Sequence, residues 1–274
     1  MHHKYTWRVG VLEVVMILVT LIYVVPLYLL VNVSLRASND PAPALALPTR
    51  ITFDNFAEAW ERGNLGNALV NSGVVAIVST VLIVLFAAFA SYPLARSLRR
   101  WSKWTYYGFL AGLLLPFQLA TIPLYLTMRD IGLLGSVWSL ILFNVGTQMP
   151  FSIFLYAGFL RSVPIEYEEA ASMDGAGPFA TFWRVVFPLM RPITGTLAIL
   201  NLINIWNDFF TPLLYLSGSG QQTVPVAIYA FFGQFTTEWN LVFAGLLISV
   251  APVLLLYFVL QRTVITGFAS GLKG

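Results

Sequence analysis

The sequence predicts an all-α polytopic membrane protein with six transmembrane helices. Of its 274 residues, 58% are hydrophobic and 10% are charged, whereas a soluble domain carries about 25% charged residues. Six apolar runs are each long enough for a membrane-spanning helix of about 20 residues. Lys and Arg are unequally divided between the segments that join these runs, as expected of a membrane protein with a fixed orientation.

The first apolar run covers residues 9–33, and a polar loop follows it to residue 67. We interpret residues 1–67 as an N-terminal helix and a periplasmic loop. A cleaved signal peptide is the alternative, because Ala44-Leu45-Ala46 resembles a cleavage site. The run is longer than the roughly 7–15 apolar residues of a signal peptide, and the site lies well beyond it, so a spanning helix is favoured.

Five further runs form the predicted core, residues 68–262, at about 68–94, 106–126, 133–160, 193–216 and 241–260. The run at 106–126 contains Pro116 and Pro123, which a membrane helix tolerates when neighbouring groups bind the freed carbonyls. Residues 161–192 are a long polar interruption of this core. Residues 263–274 form a short C-terminal tail.

Lys and Arg predict the orientation of these runs. Eleven of the fifteen lie in both termini, the basic loop 96–103 and the segment 161–192, which fall on one side of the membrane. Cytoplasmic loops carry the excess of positive charge in membrane proteins. We therefore place both termini and residues 161–192 in the cytoplasm.

Composition excludes several kinds of site. Cysteine is absent, and the two histidines are His2 and His3 at the terminus, so we expect no catalytic residues and no metal site. The sequence lacks the glycine-rich phosphate loop that ends in Gly-Lys-Ser/Thr, so we expect this chain to bind no ATP itself. The sequence has no dense cluster of basic residues, so we expect no nucleic-acid partner.

Residues 163–176 form a polar island between two apolar runs. It holds four of the chain's twelve acidic residues: Glu166, Glu168, Glu169 and Asp174. Pro164 suits a first helical turn, the glutamates suit the positive end of the helix dipole, and Gly175 suits a helix end. The pattern predicts a helix of about three turns, which is too short to be stable alone. A solvated loop is the alternative, since charge clusters are usually solvated.

The island and its surroundings resemble a known family. The stretch from Glu169 to Ala176, Glu-Ala-Ala-Ser-Met-Asp-Gly-Ala, resembles the EAA loop of bacterial ABC importer permeases. The Asn71-Ser72 pair in the second run resembles the sequence found at that place in the same permeases. The stretch Trp206–Phe209 resembles a segment of their carbohydrate-uptake subfamily. The ending Gly267–Gly274 resembles the tail of the maltose-type (MalG-like) subunit.

The resemblance implies a type I ABC importer (MetI-like) permease fold with a cytoplasmic coupling helix, in the bacterial inner membrane. In this family the coupling loop, here 161–192, docks on the ATPase, and Glu169 would face a basic group there. The implied ATPase-coupling residues are Glu166, Glu168, Glu169, Ala170, Ala171, Asp174 and Gly175. The implied tail contacts with the ATPase are Gly271 and Lys273.

The function implied by the resemblance is that of a permease subunit of an ATP-driven importer for a sugar or oligosaccharide. Its expected partners are an ATPase dimer that carries ATP and Mg, a second related permease in a heterodimer, and an extracytoplasmic solute-binding protein. Import of a phosphorylated polyol is an alternative. A secondary transporter is a remote one, since it requires ionisable groups in several spans, and only Glu13 and Asp208 qualify.

A polar stripe follows one face of the run at 193–216. A charged group at the bilayer centre costs about 2.5–3.5 kcal/mol, so such groups face a bundle interior or a water-filled cavity. One interpretation is a wall or gate of the translocation path. The other is hydrogen bonding between helices, at roughly 0.6–2 kcal/mol per contact. The candidate path residues are Asn201, Asn204, Asn207 and Asp208.

Overall fold

The structure is a computed structural model that describes residues 7–233 and 237–271. Throughout these ranges the regular elements are helices. They are α1 (Trp7–Ser34), α2 (Asp54–Arg62), α3 (Leu65–Arg96), α4 (Arg100–Leu114), α5 (Phe117–Asp130), α6 (Val137–Ser162), α7 (Glu166–Met173), α8 (Pro178–Thr181), a π-helical turn (Phe182–Val186), α9 (Phe187–Leu189), α10 (Arg191–Trp206), α11 (Phe210–Tyr215), α12 (Val224–Tyr229) and α13 (Trp239–Gly271).

Several of these helices are suited to cross a membrane. Within the described ranges, α1, α3 and α6 are long and apolar enough, and the number rises to five if each of two bent helix pairs is one span. The bent pairs are α4 with α5, at 104°, and α8–α9 with α10, at 73°. The all-α, multi-pass class predicted from the sequence is confirmed.

The run at 106–126 differs from the single helix that its hydropathy predicted. It is divided between α4 and α5, with a break at Leu115-Pro116. Leu115 is extended, with φ −82° and ψ 124°, which is the conformation that a following proline favours. Pro116 also lacks the N–H that would continue α4. Pro123, by contrast, lies inside α5.

Two other runs end at different places from those predicted. The run at 193–216 is divided into α10 and α11, with residues 207–209 between them. The last helix was predicted to end at residue 260 and to be followed by a tail from 263, whereas α13 continues to Gly271. Lys273 lies outside the described residues.

One of two compact units comprises Asn67–Val226 and the chain from Val253 onward. Its core has two clusters. The first includes Tyr156 and Leu160, and the second includes Leu140 and Ile141. All four residues belong to α6, so this helix runs through both clusters and supports the polar features near its middle and at its end.

The other unit comprises Met1–Gly66 and Ala227–Pro252. Asn55 on α2 is buried, and its side-chain amide donates to the carbonyls of Ser34 (2.7 Å) and Arg36 (2.8 Å). Its oxygen accepts a hydrogen bond from Asn240 at 2.8 Å. Arg36 in turn donates to three loop carbonyls, those of Ala42, Pro43 and Ala46. These bonds fix the loop that follows α1.

The Asn71-Ser72 pair near the start of α3 holds the segment before α12. Asn71 donates to the carbonyl of Gln222 at 3.1 Å, and Ser72 Oγ accepts the N–H of Val224 at 2.9 Å. Ser72 and Val224 are buried. The first N–H groups of a helix have no partner within that helix, so Ser72 satisfies one for α12.

We expect Ser72→Ala to lower the free energy of unfolding by about 1–3 kcal/mol, because it leaves the buried Val224 N–H without its acceptor. The measurement is thermal unfolding of the purified protein in detergent. Ser217→Ala is the matched control, since this serine is exposed. Equal Tm values for the two variants would contradict the proposed role of Ser72.

Candidate functional site

The polar island forms α7, a helix of eight residues whose first turn holds three glutamates. It has about two turns rather than the three that the pattern predicted. The chain reaches it from α6, which ends at Ser162, through Val163, Pro164 and Ile165. A helix this short depends on tertiary contacts, so its attachments to neighbouring elements determine its position.

Gly175 ends α7 by the predicted mechanism. Its φ is +81°, a left-handed conformation that glycine adopts readily. The N–H of Gly175 donates to Ser172, and the N–H of Ala176 to Ala171, both at 3.0 Å. These two bonds form a Schellman motif, which satisfies carbonyls at the helix end and directs the chain towards α8.

One side of α7 is open to solvent and carries both acidic and apolar groups. Met173 is 89% exposed, and Tyr167 and Ile165 are about half exposed. Exposed apolar side chains beside charged ones are typical of a protein-binding surface. Ala171 is half-buried, and the other expected coupling residues on this side are exposed, namely Glu166, Glu169, Ala170, Asp174 and Gly175.

Glu168 points the other way, towards α3. One of its carboxylate oxygens accepts a hydrogen bond from Arg96 Nε at 2.8 Å, and the other accepts one from the Tyr92 hydroxyl at 3.0 Å. The Glu168 side chain is 12% exposed. The sequence pattern grouped three glutamates together, whereas the structure separates Glu168 from Glu166 and Glu169.

A surface groove of about 550 Å³ runs beside α7. Glu168, Glu169 and Met173 form its α7 side, and Pro178 and Thr181 of α8 form the opposite side. The groove therefore gives a partner's side chain access to the Glu169 edge of the helix.

After the island, Phe179, Phe182, Trp183 and Val186 have the i, i+3, i+4 and i+7 spacing of one face of an α-helix, but the structure divides this face. Phe182 and Val186 are buried, whereas Phe179 is 66% and Trp183 37% exposed. Phe182–Val186 is a π-helical turn rather than part of a continuous α-helix. A π-turn holds one more residue than an α-turn, so the spacing that placed these side chains on one face does not persist through it.

A second polar feature is a cavity of about 390 Å³ between α6 and α10. Three of the candidate path residues, Asn204, Asn207 and Asp208, are in its wall. Asp208 lies in the break between α10 and α11, where its carboxylate accepts the N–H of Thr211 at 3.2 Å. The break thus places polar groups on a cavity wall, where water or a polar ligand can solvate them.

Asn201 does not line this cavity. It is 2% exposed, and its amide donates to Ser152 Oγ at 3.3 Å and to the Leu197 carbonyl at 3.0 Å. Since Ser152 belongs to α6, this contact joins two helices. Of the two interpretations of the polar stripe, hydrogen bonding between helices describes Asn201, and a cavity wall describes the other three residues.

Sequence reasoning left two groups of residues out of the candidate site. Asn144, Thr147 and Gln148 line the cavity from α6; their i, i+3, i+4 spacing in an otherwise apolar helix was the available signal. Arg96 and Tyr92 hold Glu168, and nothing in the sequence links residues more than 70 positions apart. Of the expected tail contacts, Gly271 ends α13 and Lys273 lies beyond the described residues.

Comparisons of the sequence with known proteins agree on one family. The family model described as "Binding-protein-dependent transport system inner membrane component" matches residues 11–268. The melibiose/raffinose/stachyose import permease protein MelC of Bacillus subtilis is 36% identical over 248 residues, which is 90% of each chain. The probable starch degradation products transport system permease protein AmyC of Thermoanaerobacterium thermosulfurigenes is 33% identical over 93% of each chain.

A solved structure has the same fold. A chain of a bacterial ABC transporter involved in the import of the acidic polysaccharide alginate superimposes with a TM-score of 0.81, covering 95% of this chain and 99% of that chain at 20% identity. The two chains therefore share one fold. The family match extends over nearly the whole sequence, and the chain covers 90% and 93% of the length of the two sequence relatives. The chain therefore belongs to the family of binding-protein-dependent transport system inner membrane components.

Proposed function

We propose that this chain is the permease subunit of an ATP-driven importer for a neutral sugar or oligosaccharide, and that it forms half of the translocation pathway. The observation that carries the proposal is α7, a short helix whose solvent-facing side holds Glu169 within the EAA-like segment. A membrane-transport subunit needs such a surface only if its energy comes from another protein. The chain supplies no phosphate loop of its own.

The proposed topology has six spans. They are α1, α3, the α4–α5 pair, α6, the α10–α11 pair and α13. The excess of Lys and Arg on one side supports a cytoplasmic location for both termini and for α7. The family supports the bacterial inner membrane as the site of action.

The proposed coupling helix is α7. Its exposed carboxylate at Glu169 faces a basic group on the ATPase, and Ala170 and Ala171 allow close approach because their side chains are small. Glu166, Asp174 and Gly175 border the same surface, and Gly271 and Lys273 are proposed as further contacts with the ATPase. The ATPase dimer, not this chain, binds ATP and Mg and carries out hydrolysis.

The cavity chemistry supports a neutral substrate. Amide and hydroxyl groups in its wall can donate to and accept from sugar hydroxyls. Asp208 is the one ionisable side chain of that wall among the described residues, and a carboxylate without a nearby cation repels a phosphate. This favours a sugar over a phosphorylated polyol, in agreement with relatives that are named for melibiose, raffinose and stachyose or for starch degradation products.

The other proposed partners are a second permease and a solute-binding protein, and the family supports them. One chain supplies one polar wall, so a second, related permease completes the pathway, and we propose a heterodimer. A solute-binding protein delivers the substrate from outside.

The test of the proposed substrate is co-expression with a second permease, an ABC ATPase and a solute-binding protein of the same organism. Mass spectrometry of the ligand that co-purifies with the binding protein should find a neutral sugar; a phosphorylated polyol would overturn the substrate assignment.

We expect Glu169→Lys to abolish substrate-stimulated ATP hydrolysis in reconstituted vesicles while the protein stays in the membrane. The reversed charge would repel the basic group that the carboxylate faces. Glu61→Lys is the matched control, since Glu61 is an exposed glutamate on α2, on the opposite side in the proposed topology. Normal stimulation in the Glu169→Lys protein would contradict the docking role of α7.

We expect Asn204→Leu to slow sugar uptake by about 2- to 10-fold, which corresponds to the loss of one net hydrogen bond of about 0.5–1.5 kcal/mol. The measurement is uptake of radiolabelled sugar by vesicles that hold the complete importer. Asn204→Gln keeps an amide and should lose less activity. If the Leu variant imported sugar at the wild-type rate, the cavity would not be part of the path.

A further inference from the structure

We propose that Arg96, Tyr92 and Glu168 form a clamp that fixes α7 to the end of α3, and that Glu168 is a positioning residue rather than a contact to the ATPase. This Arg96–Glu168 clamp is a property of the chain itself. Only its consequence for ATP hydrolysis rests on the proposed function. The clamp divides the glutamates of α7 into one that holds the helix and others that face outward.

The clamp uses both oxygens of one carboxylate. Arg96 Nε donates to Glu168 Oε1 at 2.8 Å, and the Tyr92 hydroxyl donates to Oε2 at 3.0 Å. Tyr92 and Arg96 are four residues apart, so both project from the same face of α3. Two separated anchor points oppose rotation of the Glu168 side chain, which a single bond would permit.

Arg96 also reaches the segment before α7. Its Nη2 donates to the carbonyl of Val163 at 2.9 Å, and Val163 is the C-cap residue that directly follows α6. The planar guanidinium thus joins the end of α6 to the first turn of α7. Lys carries the same charge but lacks this fixed fork of donors, so it cannot hold both acceptors in the same geometry.

Burial makes the clamp sensitive to the loss of either partner. The Arg96 side chain is 17% exposed and that of Glu168 is 12% exposed. An ion pair shielded from water interacts more strongly than an exposed one. Removal of one partner leaves the other charge buried and uncompensated. The exposed Glu166 has no such constraint and serves as the control for the label distances.

The clamp also determines how a force on α7 is transmitted to the neighbouring helices. Because α7 has only two turns, its orientation depends on its attachments. With Glu168 held from α3 and Val163 held by the same arginine, a force on the outer side of α7 displaces the ends of α3 and α6 with it. Without the clamp, α7 can still meet a partner but transmits less of the motion.

A spectroscopic experiment tests the clamp without any partner protein. The chain contains no cysteine, so Leu98→Cys and Met173→Cys, at positions 91% and 89% exposed, allow two spin labels to be attached to the full chain. Pulsed electron paramagnetic resonance then gives the distribution of label distances. We expect Arg96→Gln and Glu168→Ala to broaden or shift this distribution, and Glu166→Ala to leave it unchanged.

Two further variants keep the result interpretable if a buried unpaired charge prevents folding. Tyr92→Phe removes one bond without unpairing a charge and should broaden the distribution less. The paired exchange Arg96→Glu with Glu168→Arg should restore part of the order lost in Arg96→Glu alone. Distributions that match the unsubstituted pair in every clamp variant would overturn the proposal.

A second readout separates positioning from direct contact. We expect Arg96→Gln and Glu168→Ala to keep ATPase binding while substrate-stimulated hydrolysis falls about fivefold or more, the lower range of allosteric coupling. If Glu168→Ala abolished ATPase binding while Arg96→Gln changed neither quantity, Glu168 would be a direct contact and the proposal would fail. Failure of the unsubstituted chain to bind any ATPase would instead refute the proposed function and leave the label distances as the test of the clamp.

Discussion

Polar groups that leave water must find partners inside the protein, and the arrangement of the permease depends on this constraint. Ser72 accepts the buried N–H of Val224, Asn201 joins α10 to α6, and Arg96 satisfies Glu168 on α7. Each of these contacts joins segments that are distant in sequence. In a chain with so few charges, a small number of such bonds determines how apolar helices with little directional preference are placed.

The same constraint explains the position of the polar cavity. Asn204, Asn207 and Asp208 lie where α10 ends and before α11 begins. A helix break inside a membrane protein is tolerated where the freed backbone groups face a cavity or are bound by side chains, and here Asp208 binds the N–H of Thr211. The interruption and the cavity are therefore one feature: the break exposes polar groups, and the cavity accommodates them.

Much of this could be predicted from the sequence because it depends on local chemistry. Hydropathy predicted the helical membrane class, and the Asp174-Gly175 pair predicted the end of α7. Two prolines in one apolar run have different effects, since Pro116 ends a helix and Pro123 does not. The sequence around each proline is compatible with both a helix break and a continuous helix, so this difference could not be predicted. The inward orientation of Glu168 depends on Arg96, 72 positions earlier, and no periodicity within the island could distinguish it from Glu169.

The two polar features are connected by one continuous helix, α6. From Gln148 in the cavity wall to Val163 beside the clamp there are 15 residues, about 22 Å of helix at 1.5 Å per residue. α6 is helical over nearly all of this distance, and its buried residues belong to both core clusters. A displacement imposed at Val163 is therefore a displacement of the helix that carries Asn144, Thr147 and Gln148. With the clamp in place, α7 moves with that helix, and the cavity wall does not need a separate relay to respond to a displacement of α7.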